Sequence, residues 1–138
     1  MSEQESVAVV RRAYEAFQQG DIQSILDLIG EDIEWNTPEA TGVPFGGLRQ
    51  GKASVVEFFR QLNEAEEVQL FEPIEFIAQG ERLAVIGRYR ARVKATGRII
   101  ELPWIQIFTV RNGKIRRFYE LYDTAITERA YQQEARTV

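Results

Sequence analysis

Apolar side chains recur at three- and four-residue spacing through the first part of the chain and at every second residue afterwards. This change of period predicts helices followed by strands. From Glu5 to Gln19, Val7, Val10, Tyr14 and Phe17 fall on one face of an amphipathic helix that Gly20 ends. Asp21 is placed to cap a second helix, with Ile22, Ile25, Leu28 and Ile29 on its apolar face and Gly30 as its stop signal. Ile33 to Thr37 alternates like a short strand, and Pro38 to Gly47, with two Pro and three Gly, reads as a loop. A third helix over about Lys52 to Leu62 carries Val55, Val56, Phe58, Phe59 and Leu62.

Beyond Asn63 the alternation predicts strands at Val68 to Ala78, Leu83 to Lys94, Ile99 to Val110 and Lys114 to Tyr122, joined at Gln79-Gly80-Glu81, Thr96-Gly97 and Asn112-Gly113. Asn-Gly between alternating runs is the strongest short hairpin signal, so the last two strands form an antiparallel pair. Ile126, Ala130 and Tyr131 after Thr124 leave a short helix or a frayed end open. The expected architecture is α+β: three N-terminal helices packed on the concave face of a curved antiparallel sheet.

Strand parity decides which side chains face that interior. Arg88, Arg90 and Arg92 alternate with Val85, Gly87, Tyr89, Ala91 and Val93, and three arginines turned inward would cost several kcal/mol each unless paired. Tyr89 is therefore placed inside and the arginines outside, on a solvated or partner-facing surface. A two-residue turn at Thr96-Gly97 would set Tyr89 opposite Trp104, with Leu102, Gln106 and Phe108 on the same face. The register that buries Phe118 and Tyr122 also buries Glu120, an acid between two aromatics.

Composition removes chemistry more than it adds any. The 138 residues fit one domain, residues 1–138, with 44% hydrophobic and 28% charged side chains, as in a soluble globular chain. No apolar run is long enough to span a bilayer, and the acidic start lacks the layout of a signal peptide, so a cytoplasmic protein is expected, without a membrane partner. With 17 basic and 21 acidic residues, net charge −4, nucleic acid is a poor partner. There is no Cys and no His, so disulfides, thiol chemistry, imidazole bases and His zinc sites are excluded. The glycines of the 37–47 loop lack the Walker spacing, and no calcium-loop pattern occurs, so no cofactor or metal is expected.

Catalysis would then use carboxylates, Lys, Tyr or amides, and Glu120 is the candidate. An apolar pocket would raise its pKa by desolvation into the range useful for proton transfer, with Gln106 orienting it and the Tyr14 hydroxyl in reach. The plain alternative is that Glu120 pairs with a buried Tyr or Arg, or faces solvent at a bulge. Trp35, Phe59, Trp104, Phe118 and Tyr122 can line a hydrophobic ligand site or simply form core. Phe17, Thr37, Tyr89 and Phe108 complete the candidate lining, with Phe45 as the tip of a flap over the mouth.

The helix ending in QQGDI, the segment GEDIEWNTP, the helix GLRQGKASVVEFF and the terminus RNGKIRRFYELYD together resemble the SnoaL-like members of the nuclear transport factor 2-like superfamily. The resemblance covers nearly the whole chain. It implies a cone-shaped, cystatin-like roll, a homodimer commonly formed through the outer sheet face, and a superfamily containing polyketide cyclases, ketosteroid isomerases, limonene epoxide hydrolase and non-catalytic binding modules. The epoxide hydrolase and phenazine-biosynthesis patterns carry an acid five residues after the Ile of the terminal GKI, which here is Glu120. The position of the ketosteroid isomerase general base, an Asp, holds Thr37, which cannot act as that base. The epoxide hydrolase pattern has Tyr and Asn on the first strand and an Arg-x-Asp pair on the long strand. Trp35, Thr37 and Arg88-Tyr89-Arg90 stand at those places, without the Asp. The expected function is binding of a small hydrophobic, cyclic or polyketide-like molecule. Isomerisation, cyclisation or hydration by a carboxylate stands beside the alternative of a non-catalytic dimeric binding or structural module.

Overall fold

The computed structural model describes residues 2–132. Helix α1 (Glu3–Gln18) begins in a capping box, with Ser2 and Glu5 satisfying each other's backbone N–H groups, and α2 (Ile22–Leu28) is capped by Asp21. Strands β1 (Ile29–Thr37) and β2 (Gly47–Gln50) form an antiparallel pair before α3 (Lys52–Ala65). Then come β3 (Glu66–Gln79), β4 (Arg82–Val93), β5 (Ile99–Arg111), β6 (Lys114–Tyr122) and α4 (Thr124–Tyr131).

The six strands form one sheet in the order β2-β1-β6-β5-β4-β3. The antiparallel run β3 to β6 follows the predicted meander, but β1 lies parallel to β6, so the sheet is mixed. Nothing local announces the β1–β6 pairing, because it joins segments some eighty residues apart with no shared turn. Its edge strands β2 and β3 stay unpaired with each other, so the sheet is open and does not close into the expected cone-shaped roll. The expectation of three N-terminal helices is also corrected. Only α1 and α2 precede the sheet, because Gly47–Gln50 pairs with β1 and a hairpin thereby separates them from α3. A fourth helix, α4, settles the C-terminal alternative in favour of helix, capped by the Asp123 carboxylate.

The helices pack on one sheet face. Val9 and Val10 of α1, Val55 of α3, and Ile29, Ile33, Leu83, Val85, Val110 and Ile115 of the strands are fully buried in the main core. Ala130 of α4 joins Val93, Ile100 and Leu102 in a second cluster. Inner residues of β4 and β5 alternate as expected, with Arg88 and Arg90 outside. The β4–β5 register differs: Tyr89 faces Leu102, and Trp104 faces Gly87. The connection is longer than two residues, with the Val93 N–H donating to Arg98 O and the Gly97 N–H to Val93 O. A two-residue offset preserves parity, so the inner face is unchanged. No described helix is long and apolar enough to cross a membrane.

Candidate functional site

The hairpin at Asn112-Gly113 is a two-residue turn with both residues at positive φ, 53° and 74°, the geometry that Asn-Gly tolerates. Alone, that turn would put Phe118 and Glu120 on the outer face. Val110 pairs with Ile115, both inside; a bulge then shifts the register so that Thr109 pairs with Arg117 and Phe108 with Phe118. The extra residue reverses parity in β6 and carries Phe118, Glu120 and Tyr122 to the helix-covered face. The bulge, one route by which Glu120 could have faced solvent, is instead what turns it inward.

Between that face and the helices lies a cavity of about 110 Å³ with an almost wholly apolar wall. Helix α1 supplies Tyr14 and Phe17, the strands supply Trp35, Tyr89, Trp104, Phe108, Phe118 and Tyr122, and α3 supplies Phe59. Phe45, the expected flap tip, is buried against Phe58 and forms part of the wall. Trp35 stacks on Phe118 with ring centroids 3.9 Å apart, and Phe71 lies nearly parallel to Trp104 at 4.9 Å. Thr37 is buried outside this cavity: its hydroxyl donates to Phe45 O at 3.3 Å, and it borders an open groove with Pro38, Glu39 and Leu48 that Glu120 also lines.

Glu120 and Gln106 are paired directly across the β5–β6 ladder. The Tyr14 hydroxyl donates to Gln106 Oε1 at 2.8 Å, and Gln106 Nε2 donates to Glu120 Oε2 at 2.6 Å. The two bonds together fix the amide's orientation. Burial raises the Glu120 pKa to about 7, the Gln106 donor opposes the rise, and the nearby Glu66 charge adds to it. Burial, and then Glu120, raise the Tyr14 pKa as well, keeping that hydroxyl a donor. The chain of donors ends on an acid that exchanges its proton near neutral pH.

A second acid, not among the candidates expected from sequence, opens β3. Glu66 is 3% exposed and lines the same cavity, with Tyr89 donating to Oε1 at 2.5 Å and Tyr131 of α4 donating to Oε2. Burial raises its pKa against the lowering effect of the two phenols. Its charged neighbours in NEAEEV disguise it as a solvated helix end. No local pattern marks it, since Val68 two residues on is exposed; its place opposite the fully buried Val93 of β4 is what turns it inward. Phe58, Leu62 and Phe71 also line the cavity unannounced. The indole N–H groups of Trp35 and Trp104 and the Tyr122 hydroxyl are buried without a hydrogen-bond partner among the described residues. No group of three or more acids among the described residues is placed to hold a metal ion.

The family model described as a SnoaL-like domain matches residues 10–118. Among solved structures, an NTF2-like protein from Burkholderia xenovorans LB400 is 38% identical, with a TM-score of 0.86 over 96% of this chain and 99% of that one. An NTF2-like protein from Burkholderia pseudomallei K96243 is 30% identical, with a TM-score of 0.85 over 96% of this chain and 100% of its own. TerC, co-crystallised with polyporic acid, is 27% identical, with a TM-score of 0.81 over 92% of this chain and 98% of its own.

Proposed function

The chain belongs to the SnoaL-like domain family within the NTF2-like superfamily, and from that premise we propose that its cavity binds a small hydrophobic molecule on which Glu120 acts as general acid or base. The observation that carries this reading is the Tyr14–Gln106–Glu120 chain, which holds an acid with a pKa of about 7 in an apolar wall. An acid so poised can take a proton from carbon beside a carbonyl and return it elsewhere, or activate water. Isomerisation, cyclisation and hydration all need that step. The unpartnered donors of Trp35, Trp104 and Tyr122 suit a ligand that also carries oxygen acceptors. The crystallisation of TerC with polyporic acid supports a small-molecule ligand for a chain of this kind.

The test is carboxyl-carbon NMR of Glu120, assigned with Glu120→Gln, followed by turnover assays on cyclic ketones and epoxides. We expect titration near 7, and a Glu120→Gln protein that keeps its affinity for these uncharged compounds and loses turnover. Retained turnover would overturn the acid–base role and leave a non-catalytic binding module. A homodimer accompanies either reading, since Ile74, Ile77, Ile105, Tyr119 and Leu121 are exposed large apolar side chains. Sedimentation velocity at micromolar concentration tests it; a single monomeric species would remove the dimer.

A further inference from the structure

The cavity holds two carboxylates and no base. Its wall draws on α1 to α4, on β1 and β3 to β6, and on the Phe45 loop, and none of the described lining residues is Lys or Arg. The titratable groups facing Glu120 are Glu66 from β3, Tyr14 from α1, Tyr89 from β4 and Tyr122 from its own strand. Each anion is held by neutral donors only: Glu120 by the Gln106 amide, Glu66 by two phenols. Glu120 is half-buried: it lines the cavity and also borders the open groove of Thr37 and Glu39, and Gln106 donates to its Oε2.

Buried carboxylates without a cation are costly, and they are relieved by taking up a proton or by a positive partner. Here the chain supplies none, while it surrounds the acids with the rings of Tyr14, Phe71, Tyr89, Trp104, Phe118 and Tyr122. Aromatic faces attract desolvated cations, and a wall of rings around a carboxylate is therefore complementary to an ammonium on an apolar body. An anionic ligand would bring a further negative charge to a wall that offers it only neutral donors, the indole N–H groups of Trp35 and Trp104 and the Tyr122 hydroxyl. We infer that the ligand of this cavity is a hydrophobic amine, bound as its cation with the nitrogen at Glu120 and its carbon body among the rings.

This rests on the reading of the cavity as an apolar ligand site and narrows the ligand's charge. Glu120 should then release its proton on binding, because a cation beside it favours the carboxylate. The amine's affinity rises with pH through about 7 and falls again when the ammonium deprotonates, near pH ~10 by analogy with lysine.

Three probes of similar body separate the cases: 2-phenylethylammonium chloride, 2-phenylethanol and sodium 3-phenylpropionate, titrated at about pH 8, above the Glu120 pKa and below that of the amine. Binding is read by calorimetry and by the fluorescence of Trp35 and Trp104. We expect the amine to bind about tenfold or more tightly than the alcohol, as for a hydrogen bond between charged groups, and the acid not to bind. Glu120→Gln should bring the amine down to the alcohol's affinity and leave the alcohol unchanged. Should that variant fail to fold, proton release by the wild-type protein at about pH 6, below the Glu120 pKa, measured in two buffers of different ionisation enthalpy, reads the same step. If the alcohol matches the amine, or the acid binds as well, the charge inference is overturned and the apolar-ligand reading survives. If none of the three binds, both fall.

Discussion

Gln106 stands directly across the β5–β6 ladder from Glu120 and donates its amide to the carboxylate at 2.6 Å, while its own oxygen is held by Tyr14 at 2.8 Å. The amide is 5% exposed and takes both of these partners from the protein. Replacing Gln106 with Leu removes the donor that favours the charged acid, so the Glu120 pKa should rise above about 7. Tyr14→Phe should act in the same direction by freeing the amide to rotate, and should cost about 1–3 kcal/mol for the unsatisfied buried oxygen. Carboxyl-carbon titration and thermal unfolding of both variants check this; an unchanged or lowered pKa in Gln106→Leu would show that the bond does not govern the acid.

The raised Glu120 pKa has a signed consequence for stability. In the unfolded chain a glutamate titrates near 4.3, and in the fold Glu120 titrates at about 7. Below both values the acid is neutral in both states and costs nothing. As pH rises between them the unfolded chain releases its proton first, so stability falls by up to about 1.4 kcal/mol per pH unit and then levels off. Glu66 is shifted in the same direction. The surface acids Asp32, Glu57 and Glu81 are lowered by arginine partners, so their stabilising contribution is lost only in stronger acid. The melting temperature should therefore be higher at about pH 5.5 than at about pH 8, and Glu120→Gln should flatten much of that difference.

Gly87 is where β4 admits the Trp104 ring. A Cβ built there would lie 2.1 Å from Trp104 Cζ2 and 2.6 Å from the Glu72 carbonyl oxygen, one a packed ring and the other backbone. Gly87→Ala should destabilise the protein by about 1–3 kcal/mol, the usual cost of overpacking. It should also alter the near-ultraviolet circular dichroism of the tryptophans, because Trp104 is held between this glycine and Phe71. Wild-type stability in the variant would mean that the ring moves freely.

Tyr131 ties α4 to the cavity through its bond to Glu66, and Thr96 Oγ1 donates to Ala130 O at 2.6 Å beside it. Tyr131→Phe leaves the ring and removes the donor. Glu66 should then titrate higher still, and the amides of α4 should exchange faster with solvent while those of β5 keep their protection. Equal protection in both proteins would show that packing of Ala130 and Tyr131, and not the hydrogen bond, holds the helix.

Much of this protein was legible in its sequence, because the deciding forces there are local. Periods of 3.6 and 2 place α1, α2, α3 and the β3–β6 meander. Asn112-Gly113 sets a turn whose positive φ angles few other pairs accept, and the arginines of β4 forbid its other face from pointing inward. Helical period and strand parity then bring Tyr14, Gln106 and Glu120 to one interior. The tertiary structure decided what no local pattern carries. The parallel docking of β1 on β6 joins distant segments and makes the sheet mixed and open. The bulge after Ile115 reconciles the turn with the burial of Phe118 and so turns Glu120 inward. The return of α4 lays Tyr131 against Glu66 and makes a charged-looking helix end into a second buried acid. Side-chain parity is a property of neighbours in the chain. Which strands meet, where one residue is extruded and what covers a carboxylate depend on contacts between parts of the chain that no local window contains.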